Sequence, residues 1–356
     1  MRPAGTFDVS YAEDMAIVRT RLQWILVALV VAFIIALPNF SGLYWLNVII
    51  LMGITLIAVF GLHITTGLCG QINLGQSAFM AVGAYTSAIL TNALGAEWFL
   101  VVLPLAGINA GIVGTIFGAP SLKVKEFYLA MATMAAQFII VYLLIHSDEF
   151  LGTTLFGGPN GLGVPPANIF GFFEFGTDFK MYYLVMALVM IMGLLALNMT
   201  RTRVGRAFVA IRDNDLAAEV MGINLFYYKL LSFFIGCFFA GIAGALWAHY
   251  FYYIQPEQFT LHNSVWYLGM LVVGGMGSVL GTVFGTVFIT LLDALAYNVA
   301  PFISAALPHL PQNITYVVGI ILFAIVVIVF LIYEPRGLAH RWRIFKASYR
   351  LWPYAY

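Results

Sequence analysis

GRAFVAIRDNDLAAEVMGIN, residues 205–224, is the stretch on which the fold turns. It gathers Arg206, Arg212, Asp213, Asp215 and Glu219 in a chain where only 9% of residues are Asp, Glu, Lys or Arg. Such a segment cannot cross a membrane. Val204, Phe208 and Ile211 fall at i, i+4 and i+7, which marks one apolar helical stripe. Asp213 and Asn214 suit a break and an N-cap. Asp215–Met221 then reads as a second helix of about two turns, and Gly222 stands where a left-handed residue closes a helix. The spacing predicts two short helices around a polar corner, with the chain turning back toward apolar surroundings at Phe226–Leu231.

Everything around this island is apolar. The chain of 356 residues is 62% hydrophobic, with a mean hydropathy of +0.96. A soluble domain is about 45–50% apolar and about 25% charged, so the solvent for this surface is lipid. Long apolar runs such as 22–38, 44–62, 98–118, 127–145, 181–199 and 315–333 match the roughly 20 residues that cross a 30 Å hydrocarbon core. A β-barrel would alternate over segments of about ten residues, and these runs do not. The reading is an all-α, polytopic helical membrane protein: a tail at 1–21, a membrane domain at 22–333 and a basic tail at 334–356. The first run follows Arg19 and Arg21 without an A-x-A-like cleavage site, so it reads as a retained span.

The sixteen Lys and Arg residues set the orientation. They cluster before the first span, at Lys123 and Lys125, across 200–229 and in the tail beyond Arg336, while Lys180 stands alone. Short cytoplasmic loops collect Lys and Arg, so all four clusters are assigned to the cytoplasm. Spans near 22–38, 44–62, 78–94, 98–118, 126–146, 181–199 and 227–250 then alternate, leaving 147–180 outside and 200–226 inside. Residues 264–297 go in and out again, interrupted by Gly274, Gly275 and Gly277, and 315–333 returns. The expectation is about ten crossings, some short or Gly-broken, with both ends cytoplasmic.

Several of the 34 glycines are four apart: Gly107/Gly111, Gly114/Gly118 and Gly277/Gly281/Gly285, with Gly236, Ala240 and Gly244 in the same pattern. Small residues at this spacing let helix backbones approach in lipid. Packing within the chain is the plain reading, and contact with a second membrane subunit the sharper one. Two other Gly-rich stretches differ. GLCGQINLGQSAF (67–79) mixes Gly67, Gly70 and Gly75 with Gln71, Asn73, Gln76 and Ser77, and VVGGMGSVLG (272–281) interrupts a span. Non-helical backbone at membrane depth survives only inside protein or along a wet cavity, and paired interruptions often mark a transporter's substrate path. Both stretches are therefore candidate pathway segments, against the alternative of tight turns at the membrane face.

Much chemistry is excluded. There is no G-x-x-x-x-G-K-[ST] loop for ATP, no G-x-S-x-G elbow, and no H-E-x-x-H or Cys/His cluster for a metal. Cys69 and Cys237 lie in apolar context and read as buried, inert thiols. A net charge of +1 gives no field to gather nucleic acid. His63, Glu126 and His249 fall near span ends, where a wet interface makes them ordinary, and Asp293 lies near the outer end of its segment. A proton-coupled role is disfavoured, and the energy for transport is expected from outside the chain.

The ordered set GLCGQINLGQSAFMAVGAY, GGPNGL (157–162), GRAFVAIRDNDLAAEVMGIN, QPEQFT (255–260), LVVGGMGS (271–278) and EPRGL (334–338) resembles the LivM-type permease subunits of bacterial branched-chain amino-acid ABC importers, over about residues 45–338. The resemblance implies a multi-pass protein of the bacterial inner membrane, not itself catalytic. It implies a homologous second permease, two cytoplasmic ATPases that carry the ATP and Mg, and a periplasmic binding protein that delivers substrate. It makes 205–224 the coupling loop, related to the E-A-A-x-x-x-G pattern of such permeases. Ala217 and Ala218 match the two Ala and Gly222 the Gly, while Leu216 stands where the acid belongs, leaving the acid's role open among Asp215, Glu219 and an arginine. Gly205, Arg206, Arg212 and Asp213 complete the candidate coupling set. The turn Gly158-Pro159-Asn160-Gly161 is first of all a turn and otherwise a docking edge for the binding protein. Uptake of urea or short amides is the alternative substrate reading. An ion-coupled carrier, a channel or a membrane scaffold are the alternatives of other classes.

Overall fold

The computed structural model describes residues 21–119, 126–152, 154–169, 171, 173–306, 314–334 and 336–351. The expected N-terminal tail and the basic pair Lys123/Lys125 lie outside them. The apolar runs become helices: α1 (Arg21–Phe40), α2 (Leu43–Leu62), α3 (Gln76–Leu94), α4 (Phe99–Gly118), α5 (Glu126–Ile145) and a short α6 (Ser147–Leu151). After α7 (Asp178–Met199) come the two helices of the charged island, α8 (Arg203–Asp213) and α9 (Asp215–Val220). The chain continues through α10 (Leu225–Phe251), α11 (Leu261–Gly274), α12 (Val279–Ala306), α13 (Ile314–Tyr333) and α14 (Leu338–Leu351). Among the described residues, strand is confined to two antiparallel pairs of two residues each. β1 (Leu162–Gly163) pairs with β4 (Tyr253–Ile254), and β2 (Asn168–Ile169) with β3 (Phe173–Glu174).

Seven helices among the described residues are long and apolar enough to cross a membrane, and α1 adds a shorter apolar helix, Trp24–Phe40. The region expected to be two short passes is instead one short helix, α11, and one long helix, α12, which runs on to Ala306. Large apolar side chains such as Phe33, Ile116, Phe138 and Leu194 are exposed along the outside of the bundle, as a lipid-facing surface requires.

The core forms around α10, which packs on α2, α3 and α4. Glycines make this possible. Gly107, Gly111 and Gly118 of α4 lie under the rings of Phe238, Phe234 and Phe233, and Gly114 lies against Cys237. Gly83 of α3 meets the backbone of Gly241, and Gly244 meets the backbone of Met80. A methyl group would collide with main chain at Gly83 and Gly244 and with packed side chains along α4, so the four-residue spacing serves contact within the chain. Gly274, Gly281 and Gly285 bring α11 and α12 together in the same way. Cys69 and Cys237 are both buried.

Candidate transport site and docking module

The charged island folds as its capping residues dictate. Thr202 caps α8, its Oγ1 accepting from Gly205 N–H at 3.1 Å. Asn214 ends α8 and caps α9, its Oδ1 accepting from Ala217 N–H at 3.0 Å. Gly222 takes a left-handed φ of 83° just past α9, and Asn224 caps α10 through Tyr227 N–H at 3.0 Å. Phe208, Ile211 and Ala218 turn inward and are buried. Gly205 is buried where the Met199 carbonyl leaves no room for a side chain.

Two of the acids are engaged within the chain. Asp215 Oδ2 meets Lys229 Nζ of α10 at 2.5 Å, and Asp213 pairs with Arg212 at 2.9 Å. Arg206 donates to the Arg201 carbonyl at 3.0 Å, and Ala217 and Glu219 are exposed. The least expected surface is apolar: Leu216, Val220 and Met221 are 75%, 87% and 82% exposed on a module otherwise capped and charged. Apolar groups left out together on a polar element point to an interaction surface.

Arg212 ties this module to both Gly-rich stretches. Its Nη1 donates to the Gly67 carbonyl at 2.9 Å. A Cβ at Gly70 would lie 3.0 Å from its Cγ, and one at Gly277 would lie 3.1 Å from its Nη1. The two stretches meet at Gly67 and Gly277 beside Arg212 and then part in depth. Gly274, Gly275 and Gly277 belong to the turn joining α11 to α12, at the module end of the bundle, with Gly275 and Gly277 at φ 108° and 93°.

The first interruption lies deeper. α2 continues through a π-helical turn, His63–Leu68, and the chain then runs without helix until α3 begins at Gln76. Gln76 Nε2 donates to the Ala58 carbonyl at 2.8 Å and reaches toward the Gly236 carbonyl at 3.4 Å. At about 1.5 Å per residue, Ala58 lies about 15 Å from the end of the π turn and Gly236 about 16 Å from the start of α10. Thus α3 starts near half the thickness of a hydrocarbon core of about 30 Å.

Side chains satisfy the backbone freed there. Gly75 N–H donates to Asn73 Oδ1 at 2.9 Å, and Asn73 Nδ2 to Gln76 Oε1 at 2.9 Å. Leu74 N–H donates to Thr133 Oγ1 at 3.0 Å, Thr66 Oγ1 to the Gln71 carbonyl at 2.9 Å, and Ser232 Oγ to Gln71 Oε1 at 2.9 Å. Gln71, Asn73, Gln76 and Ser77 are all buried.

A second interruption at depth was not legible in the sequence. After β4 the chain descends through Pro256–Gln258 to Thr260, the N-cap of α11. With only 14 residues, α11 spans about 21 Å, so its first residues lie inside the bundle's thickness. Gln137 of α5 joins the two interruptions. Its Nε2 donates to the Phe259 carbonyl at 2.7 Å, and its Oε1 accepts from Ala78 N–H at 2.9 Å and from Ser264 Oγ at 3.0 Å. Ser264 Oγ in turn accepts from Ser77 N–H at 2.9 Å. A lone Gln in the apolar run 127–145 was the available signal.

At the opposite end, Gly157, Gly158 and Gly161 all take positive φ, and GGPNGL winds into a tight turn before β1. Gly158 is buried, while Pro159 and Asn160 are exposed. His63 and His249, expected at wet span ends, are instead fully buried. His249 is held by Ser87 Oγ at 3.0 Å and the Pro165 carbonyl at 2.9 Å. Neither ring nitrogen of His63 has a hydrogen-bond partner. No group of three metal-ligating side chains occurs among the described residues.

A helical bundle with two buried interruptions at mid-depth and an exposed two-helix module at one end defines a polytopic membrane transport protein. Residues 44–330 match the family described as "Branched-chain amino acid transport system / permease component", and the chain belongs to it. Over 290 residues it is 33% identical to the high-affinity branched-chain amino acid transport system permease protein LivM of Escherichia coli, covering 75% of this chain and 66% of that one. It is 34% identical over 242 residues to the protein of the same name from Salmonella typhimurium, covering 61% and 55%. With a probable branched-chain amino acid transport permease protein LivM of Methanocaldococcus jannaschii it shares 25% over 264 residues, covering 72% and 73%. The chain thus spans slightly under two thirds of the first relative and just over half of the second. No solved structure matches it.

Proposed function

We propose that this chain is the membrane-crossing subunit of an ATP-driven importer that carries branched-chain amino acids across the bacterial inner membrane. In this reading the α8–α9 module and the basic tail face the cytoplasm. Two ATPase subunits hydrolyse ATP with Mg and engage the module, and a second, homologous permease completes the path. A periplasmic binding protein delivers substrate at the far end, against the exposed Pro159 and Asn160.

The observation that carries the reading is the apolar tip of the module. Leu216, Val220 and Met221 have no partner surface of their own, and each stands on a backbone fixed by Asn214 and Gly222. Asp215 is held by Lys229 and Asp213 by Arg212, so the contact with an ATPase falls to the apolar tip, with Glu219 beside it. Replacing Val220 by Asp costs the fold little, because surface changes of this kind stay within about 0.5 kcal/mol. At an interface core the same change is expected to cost about 2 kcal/mol, roughly thirtyfold in affinity. The measurement is co-purification of the ATPases with V220D and leucine-dependent ATP hydrolysis in proteoliposomes. Retained binding and hydrolysis would remove the coupling assignment. Uptake of short amides without leucine uptake would move the substrate to the urea class.

A further inference from the structure

The start of α3 offers two adjacent backbone donors deep in the bundle, and both are met by neutral oxygens from other helices. Ser77 N–H is met by Ser264 Oγ at 2.9 Å and Ala78 N–H by Gln137 Oε1 at 2.9 Å, with the two oxygens themselves 3.0 Å apart. Two acceptors side by side on consecutive N–H groups reproduce what one carboxylate offers to a helix N-terminus. A second observation comes from the same turn. Ser77 Oγ is wholly buried and has no hydrogen-bond partner, a donor in apolar surroundings with nothing to donate to. One turn away, Met80 Sδ and the Tyr267 hydroxyl meet at 3.7 Å and give the cluster an apolar wall.

We propose that the first turn of α3 is the carboxylate subsite of the translocation path, and that Ser264 Oγ and Gln137 Oε1 occupy it when no substrate is bound. An incoming α-carboxylate takes the N–H groups of Ser77 and Ala78 and the free Ser77 hydroxyl, and it displaces the two neutral oxygens. Charge decides the exchange, since the positive end of the α3 dipole favours an anion over an amide or hydroxyl oxygen. Displacing Gln137 also loosens its hold on the Phe259 carbonyl, so that α11 and the segment before it are freed as the site fills. The apolar wall then suits an aliphatic side chain. This inference rests on the reading of the chain as an amino-acid permease and names the part of the substrate that the break at 69–75 recognises.

The test is Gln137→Glu in the assembled importer. It ties a carboxylate to the subsite. The glutamate keeps an acceptor for Ala78 N–H but cannot donate to the Phe259 carbonyl, so it weakens the staple while it fills the subsite with charge. The subsite predicts that leucine uptake falls at least about tenfold. Uptake within twofold in Q137E would overturn the proposal.

A second measurement stands apart from that variant's assembly. Ser77→Cys, with Cys69 and Cys237 replaced by Ala, keeps both backbone donors and places a thiol on the turn. Millimolar leucine is expected to slow its alkylation and leucinamide is not; equal effects of the two, or none, would sink the idea. If the unmodified complex takes up no leucine, the functional reading fails by itself. The alkylation contrast between acid and amide still decides the subsite.

Discussion

Two Gly-rich interruptions resemble each other in sequence and do different work in the fold. GLCGQINLGQ leaves one helix beside Arg212 at the module end and begins the next deep inside the bundle, whereas VVGGMGSV turns the chain wholly at the module end. The difference lies in what accompanies the glycines. The deep break carries Asn73, whose Oδ1 takes the Gly75 N–H and whose Nδ2 holds Gln76 Oε1, with Gln76 Nε2 on the Ala58 carbonyl and Gln71 Oε1 on Ser232. The turn carries only Ser278, whose Oγ accepts from Gly281 N–H at 3.3 Å, because a turn of this length frees few groups. Glycine count marks an interruption, and amide count reports its depth.

The sharpest way to break this contrast is Asn73→Ala. The change leaves Gly75 N–H without its acceptor and Gln76 Oε1 without its donor, both buried. Each orphaned group costs roughly 1–3 kcal/mol. Thermal unfolding of the purified protein is expected to show a loss at the upper end of single substitutions, with uptake abolished. A near-neutral result would mean that water reaches the break, and the depth argument would fail with it.

Gly277→Ala probes the turn in return and is expected to cost less. Its φ of 93° strains any residue with a Cβ, at about 1–2 kcal/mol. The added methyl group would also lie 3.1 Å from Arg212 Nη1, which must yield by a few tenths of an ångström. Because Arg212 also holds the Gly67 carbonyl, the change is expected to reach substrate-stimulated hydrolysis more than stability. Equal losses in both would reduce Arg212 to a packing contact.

Local signals were the legible ones. Asn214 and Gly222 bound the second module helix where capping chemistry puts them, and the apolar stripe Val204, Phe208, Ile211 turns inward. The glycines four apart packed within the chain, as plain reading held. What stayed hidden depends on partners far apart in sequence. Gln137 reaches Phe259 across 122 positions and Ser264 across 127, and no periodicity encodes either pairing. The depth of the segment before α11 was hidden for the same reason, since nothing local in QPEQFT shows that Gln137 pins the Phe259 carbonyl. The question of which acid serves coupling was equally closed to local reading, because Lys229 sits 14 positions from Asp215, on another helix.

The smallest expected effect makes the finest cut between the two interruptions. Met276 stands at the tip of the α11–α12 turn and is 53% exposed. The sequence placed this turn in the substrate path together with 67–77, and a side chain lining that path would matter to uptake. In the fold, Met276 takes part in none of the hydrogen bonds of the deep break's amide network. Met276→Ala is therefore expected to shift stability by no more than about 0.5 kcal/mol and to leave leucine uptake within twofold. A specific fall in uptake with stability unchanged would return 274–277 to the pathway and make the turn a second gate. A null result leaves the passage of substrate to the break at 69–75 and to Gln137 and Ser264 across from it.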